Sequence, residues 1–242
     1  MINNKRILIV TGGDRRVKPI LELTLPSKVR YAQMHGYDFL CLNSFQNYDD
    51  FQVDGSDIIG LGFSRTLQLM SMMDSYDLIA WLDSDSIITN PNIKIEDIAN
   101  TNHTLFFSYD WCVAADLSTS NKNFSAGNFI IKKTEFITSI INSFAHSINA
   151  FLHDTGSDQA LFNALYSSDQ IKEHICLLDH RYLNAVPEFV MRTTAWSSDP
   201  RRGKPNFRIE SPWNEDCFIA HLTGCTNDDR ISLLQNELKN YL

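Results

Sequence analysis

The sequence predicts an α/β domain with a mixed, mostly parallel central sheet flanked by helices. Three observations predict it. Residues 78–82, Leu-Ile-Ala-Trp-Leu, form an unbroken apolar run of the kind found in strands buried on both faces. Residues 6–11 and 37–42 are apolar runs on either side of a helix-like stretch, which makes a strand–helix–strand unit. The chain of 242 residues is 43% hydrophobic, enough for a substantial core, and no shift in composition marks a linker. Residues 1–242 therefore read as a single domain.

The first strand, residues 6–11, runs into Thr11-Gly12-Gly13-Asp14. This tight turn past a strand end can hold a nucleotide's base and ribose, or can serve as a plain strand-to-helix turn. Helical sequence follows, with one start near Pro19 and another at Pro26, since proline is tolerated in a first helical turn. Gly36 closes this stretch as a C-cap, and residues 37–42 form the second strand. Residues 43–62 read as a long loop. Helix signals resume at Ser64, with Leu67, Met70 and Met73 on an inner face. Arg65 then lies in the first helical turn, where a cation opposes the helix dipole. Pairing with a phosphate or with Asp83 would explain it, as would plain solvation.

The run at 78–82 stops at Asp83-Ser84-Asp85, and Asn90-Pro91 closes the unit as a turn. Ligands of open α/β sheets bind where the strands end. Two hard oxygen ligands at that edge suit a divalent cation, and a divalent cation suits a diphosphate. The chain has a single D-x-D, and its place at a strand end carries the information.

Ile95–Ile98 reads as a short helix and 104–109 as a strand ending in Asp110-Trp111. Residues 121–131 lead from small polar residues into a further strand. There Ser125-Ala126-Gly127-Asn128 lets a ligand approach the backbone. Thr134 reads as the N-cap of a helix reaching residue 152. A second helix begins near Ser157-Asp158-Gln159, where Asp158 serves either as a capping carboxylate or as a site residue. Ile175–Leu178 is a strand. Arg201, Arg202, Lys204 and Arg208 sit in a loop that either closes over a phosphate or is simply solvated. The last strand carries His221, a core residue or, given a metal site, an imidazole ligand. Residues 229–242 read as an amphipathic helix.

Composition excludes several classes. A net charge of −8 argues against nucleic-acid binding. Five cysteines without a C-x-x-C pair read as reduced thiols, which points to a cytoplasmic setting. No apolar stretch is long enough for a transmembrane segment, and the N-terminus lacks a signal-peptide shape. No H-E-x-x-H or G-x-S-x-G supports a hydrolase.

Five motifs occur in order: Tyr31-Ala-Gln-Met-His-Gly-Tyr37-Asp-Phe39, Trp81-Leu-Asp-Ser-Asp85, Phe124-Ser-Ala-Gly-Asn-Phe-Ile-Ile131, Ser157-Asp-Gln-Ala160 and His221-Leu-Thr-Gly-Cys225. Together they resemble family 34 of the glycosyltransferases, which contains eukaryotic α-galactosyl- and α-xylosyltransferases. The likeness runs from residue 6 to about 225. It implies a GT-A (Rossmann-like) fold, a UDP-sugar donor, Mn²⁺ (or Mg²⁺) and retention of anomeric configuration. The acceptor would be an oligosaccharide or glycoconjugate.

By that resemblance Asp83, Asp85 and His221 form the metal site, with Asp83 touching the ribose or the metal indirectly. Thr11 and Gly12 would hold uridine. Arg65, Ser84, Gly127 and Gly224 would border the donor, and Asp158 and Gln159 would lie beside the anomeric carbon and sugar hydroxyls. The sequence departs from the family in lacking an anchor or stem and in its Gly127-Asn128 order. It also has Thr226 where a diphosphate-binding Lys often stands, with Arg230 or the 201–208 cluster as substitutes. A nucleotide-sugar-forming nucleotidyltransferase and a non-catalytic carbohydrate-binding module are the alternatives.

Overall fold

The structure, a computed structural model, describes residues 5–42, 57–109, 112–114, 124–152, 158–193, 207–209 and 213–242. In chain order its elements are β1 (Ile7–Gly12), α1 (Lys18–His35), β2 (Asp38–Leu42), α2 (Asp57–Ser71), β3 (Leu78–Leu82), β4 (Ser86–Ile88), α3 (Ile95–Ile98) and β5 (Leu105–Tyr109). Then come β6 (Cys112–Ala114), β7 (Phe124–Lys132), α4 (Ile137–Leu152), α5 (Asp158–Ser167), β8 (Ile175–Leu178) and α6 (His180–Leu183). The described chain ends with β9 (Phe207–Ile209), β10 (Ile219–His221) and α7 (Asn227–Asn236).

Six strands form the main sheet in the order β2-β1-β3-β7-β5-β8. The pairs β1/β2, β1/β3 and β5/β8 are parallel, and β7 runs antiparallel to both its neighbours. The expected mixed, mostly parallel α/β sheet is therefore present. β4 and β10 make a separate antiparallel pair, as do β6 and β9.

The period-2 pattern of the strands divides the core. Val10, Ile79, Trp81, Phe107 and Phe129 face one layer, packed against Phe63 and Met70 of α2, Phe144 of α4 and Phe162 of α5. Their neighbours Ile9, Leu78, Ala80, Phe106 and Ile130 face the other, against Tyr31 and Ala32 of α1 and against Phe218. This is why residues 78–82 carry no polar side chain: both faces are covered. The Met/Leu stripe of α2 is core, as its spacing implies. A third cluster, with Ile20, Ile87, Ala220 and Leu234, joins the β4–β10 pair to α1 and α7.

Two expectations are corrected. Pro26 does not start a helix but lies inside α1, which runs unbroken from Lys18 to His35. Pro26 and Glu22, whose carbonyl loses its donor, are both exposed, so water can satisfy that oxygen. α2 begins at Asp57 and not at Ser64. Arg65 is thus more than two turns inside the helix, and the dipole objection to it disappears. Gly36 ends α1 as expected, at φ 69° and capping the carbonyls of Ala32 and Gln33. Trp111, Ser157, Arg201, Arg202 and Lys204 lie outside the described residues.

Candidate active site

The site forms where β3 leaves the sheet. The Asp83-Ser84-Asp85 turn is fixed by its three carbonyls, each of which has a dedicated donor. Lys28 Nζ donates to Asp83 O (2.6 Å) and Thr24 Oγ1 to Ser84 O (2.7 Å). Leu222 N–H donates to Asp85 O (3.0 Å). Two of these donors come from α1 and the third from the segment after β10, so the turn is clamped from both sides. Fixed main-chain geometry of this kind is what a preformed site needs.

His221 reaches Asp85 through strand pairing. Its register partner is Ser86, the residue after Asp85. The imidazole Nε2 lies 3.4 Å from Asp85 Oδ1. Asn184 Nδ2 donates to the Tyr109 carbonyl (3.0 Å), which leaves Asn184 Oδ1 as an acceptor. His221 Nδ1 donates to that oxygen (2.8 Å), which aims Nε2 at the carboxylates. Ligand atoms of Asp83, Asp85 and His221 all lie within 4.8 Å of one another.

A second charged group joins this one. Arg65 Nη1 donates to Asp83 Oδ1 (3.0 Å), and its Nη2 donates to Asp158 and to Ala126 O (3.1 Å). Trp81 Nε1 also donates to Asp83 Oδ1 (2.6 Å), and the guanidinium lies 4.9 Å from the Trp81 ring centre. Thr66 Oγ1 supplies a further hydrogen bond to Asp158 (2.9 Å). Of the readings open for Arg65, pairing with Asp83 is the observed one. Asp158 is more than a helix cap, because Arg65 and Thr66 hold its carboxylate from α2.

β7 contributes through an irregularity. Its register with β5 shifts between Phe107 and Ser108, so Ser108 opposes Ser125 and residues 126–128 leave the β5 ladder. The freed main-chain groups are taken by site side chains. Ala126 N–H donates to Gln159 Oε1 (3.0 Å), and Ala126 O accepts from Arg65. Asn128 Oδ1 accepts from Asp83 N–H (3.0 Å). A Cβ on Gly127 would lie 2.7 Å from His221 Cε1 and 2.9 Å from Asp83 Oδ2.

Burial and charge set the ionisation of the group. Burial pushes Asp83 above the usual carboxylate range, with Arg65 opposing and the charge of Asp85 adding to the rise. Burial acts upward on Asp85 too, but His221 and Arg230 outweigh it and hold the carboxyl below the usual range. Burial brings Lys28 down to about 7 despite the two aspartates.

Asp83 and Asp85 border a cavity of about 490 Å³ whose walls include Gly12, Gly13, Arg16, Ser84 and Arg230. A neighbouring cavity of about 300 Å³ is lined by Gly127, Gln159 and His221. Both are bordered by Arg65, Asp83 and Asp158. The structure thus brings together Gly12, Arg65, Asp83, Ser84, Asp85, Gly127, Asp158, Gln159 and His221. Two expected residues are placed differently. Thr11 is buried and its hydroxyl accepts from Lys28 Nζ (3.1 Å), so Gly12 and Gly13, not Thr11, face the cavity. Gly224 borders neither cavity; at φ 73° it shapes the turn between β10 and α7.

The model of the galactosyl transferase GMA12/MNN10 family matches residues 3–232. The chain belongs to this family. It is a glycosyltransferase of GT-A fold, as its five motifs implied. Among solved structures, it is similar to a glycosyltransferase involved in the glycosylation of the major capsid of PBCV-1. The TM-score is 0.63 and the identity 16%, over 95% of this chain and 98% of that one. The galactosyltransferase LgtC, solved with donor and acceptor sugar analogs, gives a TM-score of 0.55 at 14% identity, over 97% of this chain and 100% of that one. Mouse xyloside xylosyltransferase 1 gives 0.53 at 12% identity, over 90% and 97%. No curated protein sequence matches. Family membership sets aside the nucleotidyltransferase and binding-module alternatives. No described helix of the glycosyltransferase is long and apolar enough to cross a membrane.

Sequence reasoning missed three supports of the glycosyltransferase site: Lys28, Asn184 and Asn128. Lys28 had a faint signal, falling one helical turn from both Thr24 and Ala32 on the inner face of α1. Asn184 had none, and Asn128 stood within the Phe124–Ile131 motif with nothing to indicate its contact with Asp83.

Two predictions arise here. Gly127→Ala should lower transferase kcat/KM at least about tenfold with little change in melting temperature, because the new methyl displaces His221 or Asp83 and little else. An unaltered kcat/KM would show that their placement does not matter. The second concerns pH and the metal-free protein. Lys28 titrates near 7 when folded and near 10.5 when unfolded. The unfolded chain therefore binds the extra proton between those values, and wild-type stability should rise with pH across that window. Urea titrations of wild type and Lys28→Met at pH 6 to 9 test it. Equal pH slopes for the two proteins would contradict the buried titration.

Proposed function

We propose that the protein is a retaining, metal-dependent glycosyltransferase. It moves a hexose or pentose (galactose, glucose or xylose) from a UDP-sugar to a hydroxyl of an oligosaccharide or glycoconjugate. The convergence of Asp83, Asp85 and the Nε2 of His221 on one point of the cavity wall carries this reading. Two carboxylates and a neutral imidazole nitrogen form a donor set that suits Mn²⁺, and Mg²⁺ less closely. A Cβ at position 127 would intrude on two of the three, so Gly127 keeps the point accessible. When bound there, the cation would supply neutralising charge to a departing diphosphate.

The chain's own residues account for the rest. Gly12 and Gly13 offer close backbone approach for the nucleoside. Arg16 and Arg230 put positive charge on the wall of the larger cavity, beside where a diphosphate would lie. Arg16 is held by Asp14, to which its Nε donates (2.6 Å). The smaller cavity suits the acceptor, and the transferred sugar would sit where the two meet, over Asp158. There the Asp158 carboxylate, held by Arg65 and Thr66, stabilises positive charge at the anomeric carbon. Gln159, anchored through its Oε1, keeps its amide N–H groups for sugar hydroxyls.

In the reaction the donor's C1–O bond to phosphate breaks, and a bond from C1 to the acceptor oxygen forms on the same face. The acceptor proton passes to the leaving diphosphate oxygen, so no separate base is required. A cytoplasmic setting fits the thiols, since Cys176, Cys217 and Cys225 carry no disulfide among the described residues.

The test is donor hydrolysis and transfer across a panel of UDP- and GDP-sugars, with Mn²⁺ and with a chelator. Turnover of a UDP-hexose or UDP-pentose only in the presence of metal, with retained configuration by NMR, is expected. Turnover confined to GDP-sugars, full activity in chelator, or an inverted product would refute the corresponding part.

A further inference from the structure

We propose that Arg230 is a resident counter-cation for Asp85 against which a divalent metal must compete, so that metal and diphosphate bind as a pair. This inference rests on the metal reading of Asp83, Asp85 and His221 given above.

The two oxygens of Asp85 face different partners. Oδ1 lies 3.4 Å from His221 Nε2, and Oδ2 lies 3.0 Å from Arg230 Nη2. Arg230 does not reach there by chance of a flexible side chain. Its Nε donates to Leu222 O (3.1 Å) and its Nη1 to Asn227 Oδ1 (3.1 Å). Three nitrogens are thus tied to three residues, and the side chain is 18% exposed. The first turn of α7, which carries it, is fixed by a capping box in which Thr226 Oγ1 accepts from Asp229 N–H and Asp229 answers the Thr226 N–H. The guanidinium is therefore placed before any ligand arrives.

Charge then decides the behaviour. Asp83 is paired with Arg65 and Asp85 with Arg230. Before a metal binds, two guanidinium groups already offset most of the charge of three carboxylates, since Arg65 is shared by Asp83 and Asp158. A divalent cation entering alone meets a largely offset negative charge and the repulsion of Arg230. A diphosphate reverses this. Arg230 borders the larger cavity and has five N–H donors, of which the contacts above use three. The remaining two can serve phosphate oxygens, and the added negative charge offsets the metal. The cation that opposes metal alone thereby favours metal with diphosphate, which is a positive coupling between two ligands.

The experiment measures Mn²⁺ binding by the EPR signal of the free ion, with and without UDP, for wild type, Arg230→Gln and Arg230→Lys. Circular dichroism melts confirm that each protein is folded. In wild type, UDP should tighten Mn²⁺ binding at least about tenfold. Arg230→Gln should bind Mn²⁺ alone about three- to tenfold more tightly than wild type, because a like charge has gone. It should also bind UDP more weakly in the presence of Mn²⁺, so that the coupling shrinks. Arg230→Lys, which keeps the charge, should restore most of the wild-type pattern. Weaker or unaltered binding of Mn²⁺ alone by Arg230→Gln overturns the proposal, as does the absence of UDP coupling in wild type whatever the variants do. If wild type takes up no Mn²⁺ even with UDP, the metal reading itself fails and this inference fails with it.

Discussion

Arg65→Met should cost the protein about 3–5 kcal/mol of stability, the penalty for leaving a buried charge without its partner. Asp158 is the charge left behind. Its side chain is 8% exposed, and without Arg65 its carboxylate keeps, among the described residues, Thr66 and the main-chain N–H of Gln159. Asp83 loses a donor as well, though Trp81 still serves it. At about 2–4 °C per kcal/mol for a chain of this size, the midpoint should fall by roughly 10 °C. Activity should fall with it even below the melting range, since the Asp158 carboxylate would lose a donor that fixes its position. Arg65→Lys should recover part of the stability but not the fork that spans two carboxylates and the Ala126 carbonyl. Differential scanning calorimetry of the three proteins decides this. A loss below about 1 kcal/mol in Arg65→Met would mean that solvent, not Arg65, neutralises Asp158.

Asp85→Asn should act chiefly on the chemistry. The side chains are the same shape, and the Asn oxygen can still accept from Arg230. What is lost is the negative charge that His221 and Arg230 hold on Asp85. With the Mn²⁺ reading, a deficit of about 4 kcal/mol in the transition state corresponds to roughly a 10³-fold fall in kcat/KM. The melting temperature of the metal-free protein should fall as well, because a carboxyl held below its usual range contributes stability at neutral pH that an amide does not. Turnover within tenfold of wild type would remove Asp85 from the site. Together the two variants separate the Arg65–Asp158 pair, which joins α2 to α5, from Asp85, a proposed metal ligand.

Much of this was legible in the sequence, for identifiable reasons. Residues 78–82 are apolar throughout because both faces of β3 are covered, and a pattern set by burial can be read back as burial. Asp83 and Asp85 were legible because a charge directly after such a run has no packing reason to be there. Arg65 was noticed for a mistaken reason. Its supposed conflict with a helix dipole vanished when α2 proved to start at Asp57, yet the expected partner, Asp83, is one of the two carboxylates it holds. Thr11 shows the opposite failure. It lies within β1 and not in the turn after it, and Lys28 on α1 takes its hydroxyl.

The sequence by itself determined the local structure and the family. Strand and helix periods were enough for a mixed α/β sheet with an acidic turn at a strand end, and the resemblance carried by the ordered motifs implied a GT-A glycosyltransferase. Only the tertiary structure decided which groups share a charge. Asp85 meets His221 and Arg230, Asp158 meets Arg65, and Lys28 meets the Asp83 carbonyl. The physical reason is that periodicity records which face of an element is covered, whereas an ion pair depends on which distant element covers it. Strand order, the β4–β10 pairing and the shifted register of β7 settle that, and none of them leaves a repeating trace in the chain.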